Sequence, residues 1–197
     1  MKRLSITVLL IMLAGCERPG SVEQDRLPEP FVPPAEEASA EFRAKVVKII
    51  DGDIIDVLND ADETIRMRLN GIDCPERGQP FGKNATEFVS DTIGEAFVHI
   101  VPKELDRYGR TIADAYLTVG VMGNNGPDRD RPDLWLNQEL VLAGLAWHDK
   151  RYSDDERLAE VERVAQEQKV GLWAGSHGVI APWDWRKMSK EERDQHN

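Results

Sequence analysis

Arg66-Met67-Arg68-Leu69-Asn70-Gly71-Ile72-Asp73-Cys74-Pro75-Glu76 begins as a strand and ends as a turn. Arg66, Arg68 and Asn70 alternate with Met67, Leu69 and Gly71, and a period of two puts one set of side chains on one face of a sheet. Gly71 and Pro75 break the pattern, so Asp73 and Glu76 fall on the turn that leaves the strand. A guanidinium on a rigid strand and two carboxylates on the adjoining turn can converge on one point. Arginine meets phosphate through a planar fork of donors. Carboxylates beside free backbone carbonyls suit a hard cation such as calcium. Cation, phosphate and arginine together suggest phosphodiester chemistry. The same residues also fit a surface ion-pair cluster at a strand end, and the stretch alone leaves both readings open.

Upstream, Phe42 to Ile50 is rich in valine and isoleucine and reads as a strand. Asp51-Gly52 is a strong hairpin signal, and Asp53 to Leu58 is the return strand. Asp51 and Gly52 read as the turn itself. Asp53 is a second acid that a turn does not need. Thr64 to Ile72 is then the third strand.

Downstream, Pro80 to Ile93 has helical spacing, with Phe81, Ala85, Phe88, Val89 and Thr92 on one face. Gly94 ends it, and Ala96 to Val101 is a fourth strand in which His99 reads as an exposed residue. Asp106-Arg107-Tyr108-Gly109-Arg110 leads into a fifth strand, Thr111 to Val119. Its two arginines with a tyrosine between them could hold phosphate and stack on a base, or form no more than a charged hairpin loop. Residues 120–132 read as a surface loop without chemistry. Leu134 to Gly144 is a short helix. Asp154 to Lys169 is a longer one that buries Leu158, Val161, Val164 and Ala165 and turns its acids to solvent. Trp183 and Trp185 near the end read as packing anchors.

The chain has 197 residues, 41% of them hydrophobic, and a net charge of -11. That length suits one domain with tails. Two cysteines cannot build a disulfide framework. Lys2 and Arg3 precede an apolar run, Leu4 to Leu13, shorter than the ~20 residues of a membrane span. The run ends in Leu13-Ala14-Gly15-Cys16, which resembles the lipobox of bacterial lipoproteins, so residues 1–16 are expected to be a signal peptide and Cys16 the lipidated residue. An ordinary signal peptide or a short anchor helix would share that run. Residues 17–40 carry five prolines with six acidic and two basic residues, the composition of a solvated tether. The folded domain is expected over 41–175, with 176–197 packing on it or trailing from it.

Five short strands with a helix between the third and fourth predict an α+β fold. The expected form is a five-stranded, OB-fold barrel flanked by about three helices, whose loops and one face could meet nucleic acid. The third strand, the turn after it and the loop before the fifth strand would then share one mouth.

Taken together, V-V-K-I-I-D-G-D, R-L-N-G-I-D-C-P-E, Q-P-F-G-K-N-A, D-R-Y-G-R, L-N-Q-E-L-V-L-A-G-L-A and G-L-W-A resemble the staphylococcal nuclease family of calcium-dependent nucleases. The resemblance runs from about Phe42 to Trp173, and the P-W-D-W-R-K tail also looks like bacterial members. It implies metal carboxylates at Asp53 and Asp73 and a backbone carbonyl to calcium at Cys74. It implies a carboxylate for the attacking water at Glu76 and phosphate-binding arginines at Arg68 and Arg110. Tyr108 matches a residue near the bound nucleotide, and Tyr152 matches one more loosely. The implied activity is hydrolysis of DNA or RNA to 3′-phosphorylated products, by a monomer held at the membrane outside the cytoplasm through Cys16. A non-catalytic nucleic-acid-binding OB-fold, or an envelope lipoprotein, is the alternative. Three features depart from the family: Ile54 in place of a threonine, Cys74 in place of another, and the acidic net charge, which works against nucleic-acid affinity.

Overall fold

The computed structural model describes residues 40–117, 122–123, 126–127, 134–175 and 179–196. The expected signal segment, Cys16 and nearly all of the expected tether lie outside them, as does most of the expected 120–132 loop. Three hairpin-forming signals build the barrel. Strand β1 (Phe42–Asp51) buries Ala44 and Val46 and exposes Lys45 and Val47, the alternation of a sheet with one wet face. It turns at Gly52 into β2 (Ile54–Leu58), which pairs with it antiparallel. The next turn is closed by Asn59, whose Oδ1 accepts from the backbone N–H groups of Ala61 and Glu63. β3 (Thr64–Leu69) then returns antiparallel to β2, setting Ile54 opposite Arg68 and Asp56 opposite Arg66.

A two-residue strand β4 (Ile72–Asp73) leads through the Pro75 turn into helix α1 (Gly82–Ile93). The buried face of α1 is Gly82, Ala85, Val89 and Ile93. Of the expected face, Phe88 is partly buried against the core, while Phe81 becomes a left-handed N-cap at φ 69° and Thr92 bonds back to the Phe88 carbonyl. β5 (Phe97–Leu105) and β6 (Thr111–Leu117) form the last long hairpin. Its turn is held by Asp106, whose Oδ1 accepts from the N–H groups of Tyr108 and Arg110.

β6 then runs parallel to β3, with Met67 opposite Thr111 and Leu69 opposite Ala113. That pairing closes β3-β2-β1-β5-β6 into a five-stranded barrel with a sealed edge, so the α+β, OB-like architecture expected from the sequence is the one observed. Its interior is filled by residues such as Ile55, Val57, Met67, Leu69 and Ile100, all buried.

Short pairs extend this frame. β7 (Met122–Gly123) pairs with β8 (Gly126–Pro127), and β9 (Leu134–Trp135) adds to β6. The helix expected from Leu134 therefore begins only after that strand, as α2 (Leu136–Leu142). β10 (Trp147–His148) pairs with β4, setting Trp147 opposite Asp73. Helix α3 (Glu156–Gln168) starts at Asp155, whose side chain caps the N–H groups of Arg157 and Leu158. It buries Leu158 and Ala165 as expected, but it also buries Glu162. That acid does not face solvent, because its two oxygens accept from the His148 N–H and the Lys150 ammonium.

The chain ends in a strap. α4 (Pro182–Trp185) and α5 (Lys190–Asp194) follow a 3-10 turn at Gly171–Ala174. Trp183 sits edge-on to Trp147, Trp185 is buried, and Gln79 donates to the Ile180 carbonyl. These contacts seat the strap beside the Pro75 turn.

Two glycines act by admitting a close approach. A Cβ on Gly52 would stand 2.7 Å from the Ala85 Cβ and 3.0 Å from Cys74, so Gly52 is where α1 packs on the first hairpin and not a turn residue only. Gly71 has φ 71°, and a Cβ there would meet Leu158 and Ser153 at 2.9 Å.

Candidate functional site

The register of β2 against β3 is what assembles the site. Because Ile54 faces Arg68, Asp53 lies just beyond the end of that ladder, and its carbonyl accepts from Leu69 N–H at 2.9 Å. Arg68 projects from the same wall with its side chain 19% exposed. One of its terminal nitrogens donates to Asp53 Oδ2 at 2.5 Å. The other donates to Asp73 Oδ1 at 3.1 Å and to the Ile72 carbonyl at 3.2 Å. A single guanidinium therefore spans both carboxylates, so Asp53 and Asp73 converge on one point although twenty residues separate them.

The electrostatics follow from burial. Burial raises the Asp53 carboxyl above its ordinary range, and the Asp73 charge adds to it, with Arg68 only partly offsetting the two. Burial also works against the charge on Arg68, but Asp53 and Asp73 outweigh it and hold the guanidinium protonated beyond its usual range. Burial pushes the Cys74 thiol well up, so it is an inert core group. The Cys74 N–H donates to Asp53 Oδ2 at 3.2 Å, which ties the Pro75 turn to the first hairpin.

Glu76 stands on that turn, half-buried, with its N–H donating to Gln79 Oε1. Asp51 belongs to the same acidic group: burial raises its carboxyl, and the Glu76 charge adds to the shift. The sequence reading assigned Asp51 to the turn alone.

Two further arginines reach these acids, and neither was singled out from the sequence. Arg186, on the strap, donates to Asp73 Oδ2 at 2.6 Å, to Asp73 Oδ1 at 3.2 Å and to Glu76 Oε1 at 2.5 Å. Arg151 donates to Asp73 Oδ2 at 3.2 Å and is itself held by Asp149 at 2.7 Å. A carboxylate offers about four lone-pair sites. On Asp73 all of them are taken, by Arg68, Arg151 and both terminal nitrogens of Arg186. Only the P-W-D-W-R-K run pointed toward Arg186, and it carried no role. Arg151 had no signal beyond its place before Tyr152.

Arg110 is placed differently. Thr111 stands opposite Met67, so Arg110 lies at the strand end beside Arg66 and within about two residues of Arg68 along the wall. Its Nε donates to Asp106 Oδ2 at 2.6 Å, and it makes no bond to the Asp53–Asp73 group. Tyr108, 68% exposed, lies between the Arg107 and Arg110 guanidinium groups at 4.8 and 5.3 Å from its ring centre. Tyr152, 81% exposed, has Arg151 at 5.5 Å from its ring, so it borders the site through Arg151. Asp53, Arg68, Asp73 and Glu76 are thus brought together, and Arg110, Tyr108 and Tyr152 flank them.

Among the described residues no cluster of three or more His, Cys, Asp or Glu stands ready to hold a metal ion. The donor set is two hard carboxylates within one guanidinium's span, with main-chain oxygens beside them. That chemistry fits a calcium-type cation completed by water or substrate.

Known proteins are similar to this chain in sequence. The micrococcal nuclease of Shigella flexneri is 39% identical over 155 residues, covering 78% of this chain and 85% of that protein. Protein ParB of Escherichia coli is 37% identical over 164 residues, covering 82% and 88%. An uncharacterized endonuclease of Haemophilus influenzae is 35% identical over 146 residues, covering 74% of each. A family model described as staphylococcal nuclease homologue matches residues 66–175, which include Arg68, Asp73, Glu76, Arg110 and Tyr152. The chain belongs to the staphylococcal nuclease homologue family.

Proposed function

We propose that this chain is a calcium-dependent phosphodiesterase that cuts DNA or RNA to 3′-phosphorylated fragments. The carrying observation is Arg68 spanning the buried Asp53 and Asp73 with Glu76 on the turn that follows. Asp53, Asp73 and the Cys74 carbonyl would hold the cation, which supplies Lewis-acid polarisation of a phosphate oxygen. Arg68 holds a non-bridging oxygen of the scissile phosphate as its charge grows, a donor typically worth ~3 kcal/mol. Arg110, held by Asp106 through Nε, would offer its terminal nitrogens to the same phosphate. Glu76 takes the proton of the attacking water, a role worth ~10²–10⁴-fold. Tyr108 and Tyr152 border the nucleotide. Cys16, in the lipobox-like run, would anchor the chain as a monomer at the membrane outside the cytoplasm, where calcium is abundant.

Labelled single- and double-stranded oligonucleotides incubated with the full chain test this reading. Cleavage is expected with calcium and not with chelator, and the new ends should carry 3′-phosphate. Binding without cleavage in calcium would make the chain a nucleic-acid-binding OB-fold. Radiolabelled fatty acid retained by the wild type and lost in Cys16→Ser tests the anchor.

A further inference from the structure

The net charge of -11 poses a problem for a protein that must hold a polyanion. The strap answers it locally. Between α4, α5 and the Pro75 turn lies an open cleft of about 370 Å³, near the lower end for ligand sites. Four cationic side chains line it, Arg77, Arg186, Lys190 and Arg193, against two acids, Glu76 and Asp194; Trp185 and Gly78 complete the wall. The cleft opens directly on Glu76, and Arg186 joins it to Asp73.

The local sequence explains the sign of the cleft. Lys190 and Arg193 are three residues apart on α5 and share a face. Glu191 and Glu192 lie off that face, and Glu192 is committed to the Ser189 cap. Arg193 is braced by the Trp185 and Arg186 carbonyls, and Arg77 by the Ile50 carbonyl. Neither is bonded to a carboxylate among the described residues, and Lys190 has no ion pair there either. Arg77 and Arg193 are therefore held in place without a bonded carboxylate, and Lys190 stands free beside them among the described residues.

We propose that this cleft is a substrate subsite: it takes the phosphate backbone of a single nucleic-acid strand next to the scissile bond. The inference rests on the phosphodiesterase reading and extends it to the strap, outside the stretch matched by the family model. The size suits one nucleotide unit. The recognition is by charge, so it is independent of base sequence.

Lys190→Gln and Lys190→Glu test it, because Lys190 is exposed and bonded to nothing that holds the fold. Fluorescence anisotropy of a single-stranded 12-mer, with chelator present, reads binding without cleavage. Lys190→Gln should weaken binding about three- to tenfold and lower the salt slope by ~0.7, the loss of one strand phosphate contact. Lys190→Glu should weaken it further. In calcium the same variants should raise KM for the 12-mer while leaving kcat, and both constants for a dinucleotide, unchanged. Equal affinity and salt slope in wild type and Lys190→Glu would overturn the subsite. So would losses of the same size on 12-mer and dinucleotide. The anisotropy arm stands apart from catalysis: a wild type that binds through Lys190 but never cuts would sink the phosphodiesterase reading and leave a strand-binding cleft.

Discussion

The barrel wall and the C-terminal strap each bring an arginine to Asp73, and they do it by opposite means. Arg68 comes from a central strand, paired on both sides, and its side chain is 19% exposed. Arg186 comes from the end of a four-residue helix, and its side chain is 43% exposed. Moving the Arg68 guanidinium means pulling a mostly buried charge off both Asp53 and Asp73. Moving Arg186 requires only rotation about its own side chain, with the strap still anchored by Trp183, Trp185 and Gln79. The wall therefore supplies a fixed charge and the strap an exchangeable one. Since every lone pair of Asp73 is in use, a cation that takes Asp73 must displace a guanidinium N–H, and the half-exposed Arg186 and Arg151 give way before the buried Arg68.

Arg68→Ala should produce the largest effect and tests the fixed half. It leaves Asp53 buried with only the Cys74 N–H, and breaking a buried pair from one side costs about 3–5 kcal/mol. The rate of the folded protein should also fall by roughly 10²–10³. Urea unfolding and kcat measured on one preparation check both. A variant of wild-type stability would mean that Arg68 does not hold the wall.

Glu76→Gln separates chemistry from architecture. The amide can still accept from Arg186, so stability and cation affinity should stay near wild type while kcat drops by at least ~10². Wild-type turnover in that variant would take the water away from Glu76.

Arg186→Gln tests the exchangeable half. Without the guanidinium, two of the four acceptor sites of Asp73 are freed, and calorimetry should show calcium binding roughly tenfold tighter, ~1.4 kcal/mol. Weaker binding would show that Arg186 builds the cation site and does not compete for it.

The wall was far more legible in the sequence than the strap. Alternation at Arg66 to Asn70 and the Asp51-Gly52 hairpin encode the register locally, and that register alone brings Asp53 to Arg68. Glu162 was misread because a helix face shows its period but not which acid will find the His148 N–H and Lys150. Gly52 reads from sequence as a turn residue because its need for space comes from α1, about thirty residues on. Arg186 meets Asp73 across more than a hundred residues, through a tail whose tryptophans signalled packing but not direction.

Asp106→Asn has the smallest expected effect and asks whether Arg110 is held or free. The Asp106 carboxylate is partly buried, which raises its pKa. Bonds from the Arg110 backbone, the Arg110 side chain and the Tyr108 N–H outweigh that and lower it overall. A carboxyl whose folded pKa lies below its unfolded value of about 3.9 adds stability that is fully present above that value and is lost as pH falls through the folded pKa. The wild type should therefore exceed Asp106→Asn in stability at neutral pH, by ~1 kcal/mol or less because the pair is near solvent. The gap should close as pH drops below about 4. In catalysis the sign is opposite. Asp106 holds the Arg110 guanidinium through Nε and competes with a phosphate for its charge, so the variant should bind substrate as well as the wild type or better. Thermal melts at neutral and acidic pH, paired with KM for a short oligonucleotide, read the two arms. A gap that persists unchanged at low pH would show that Asp106 shapes the turn through its backbone bonds alone. A raised KM would show that Asp106 presents Arg110 to the substrate and does not restrain it.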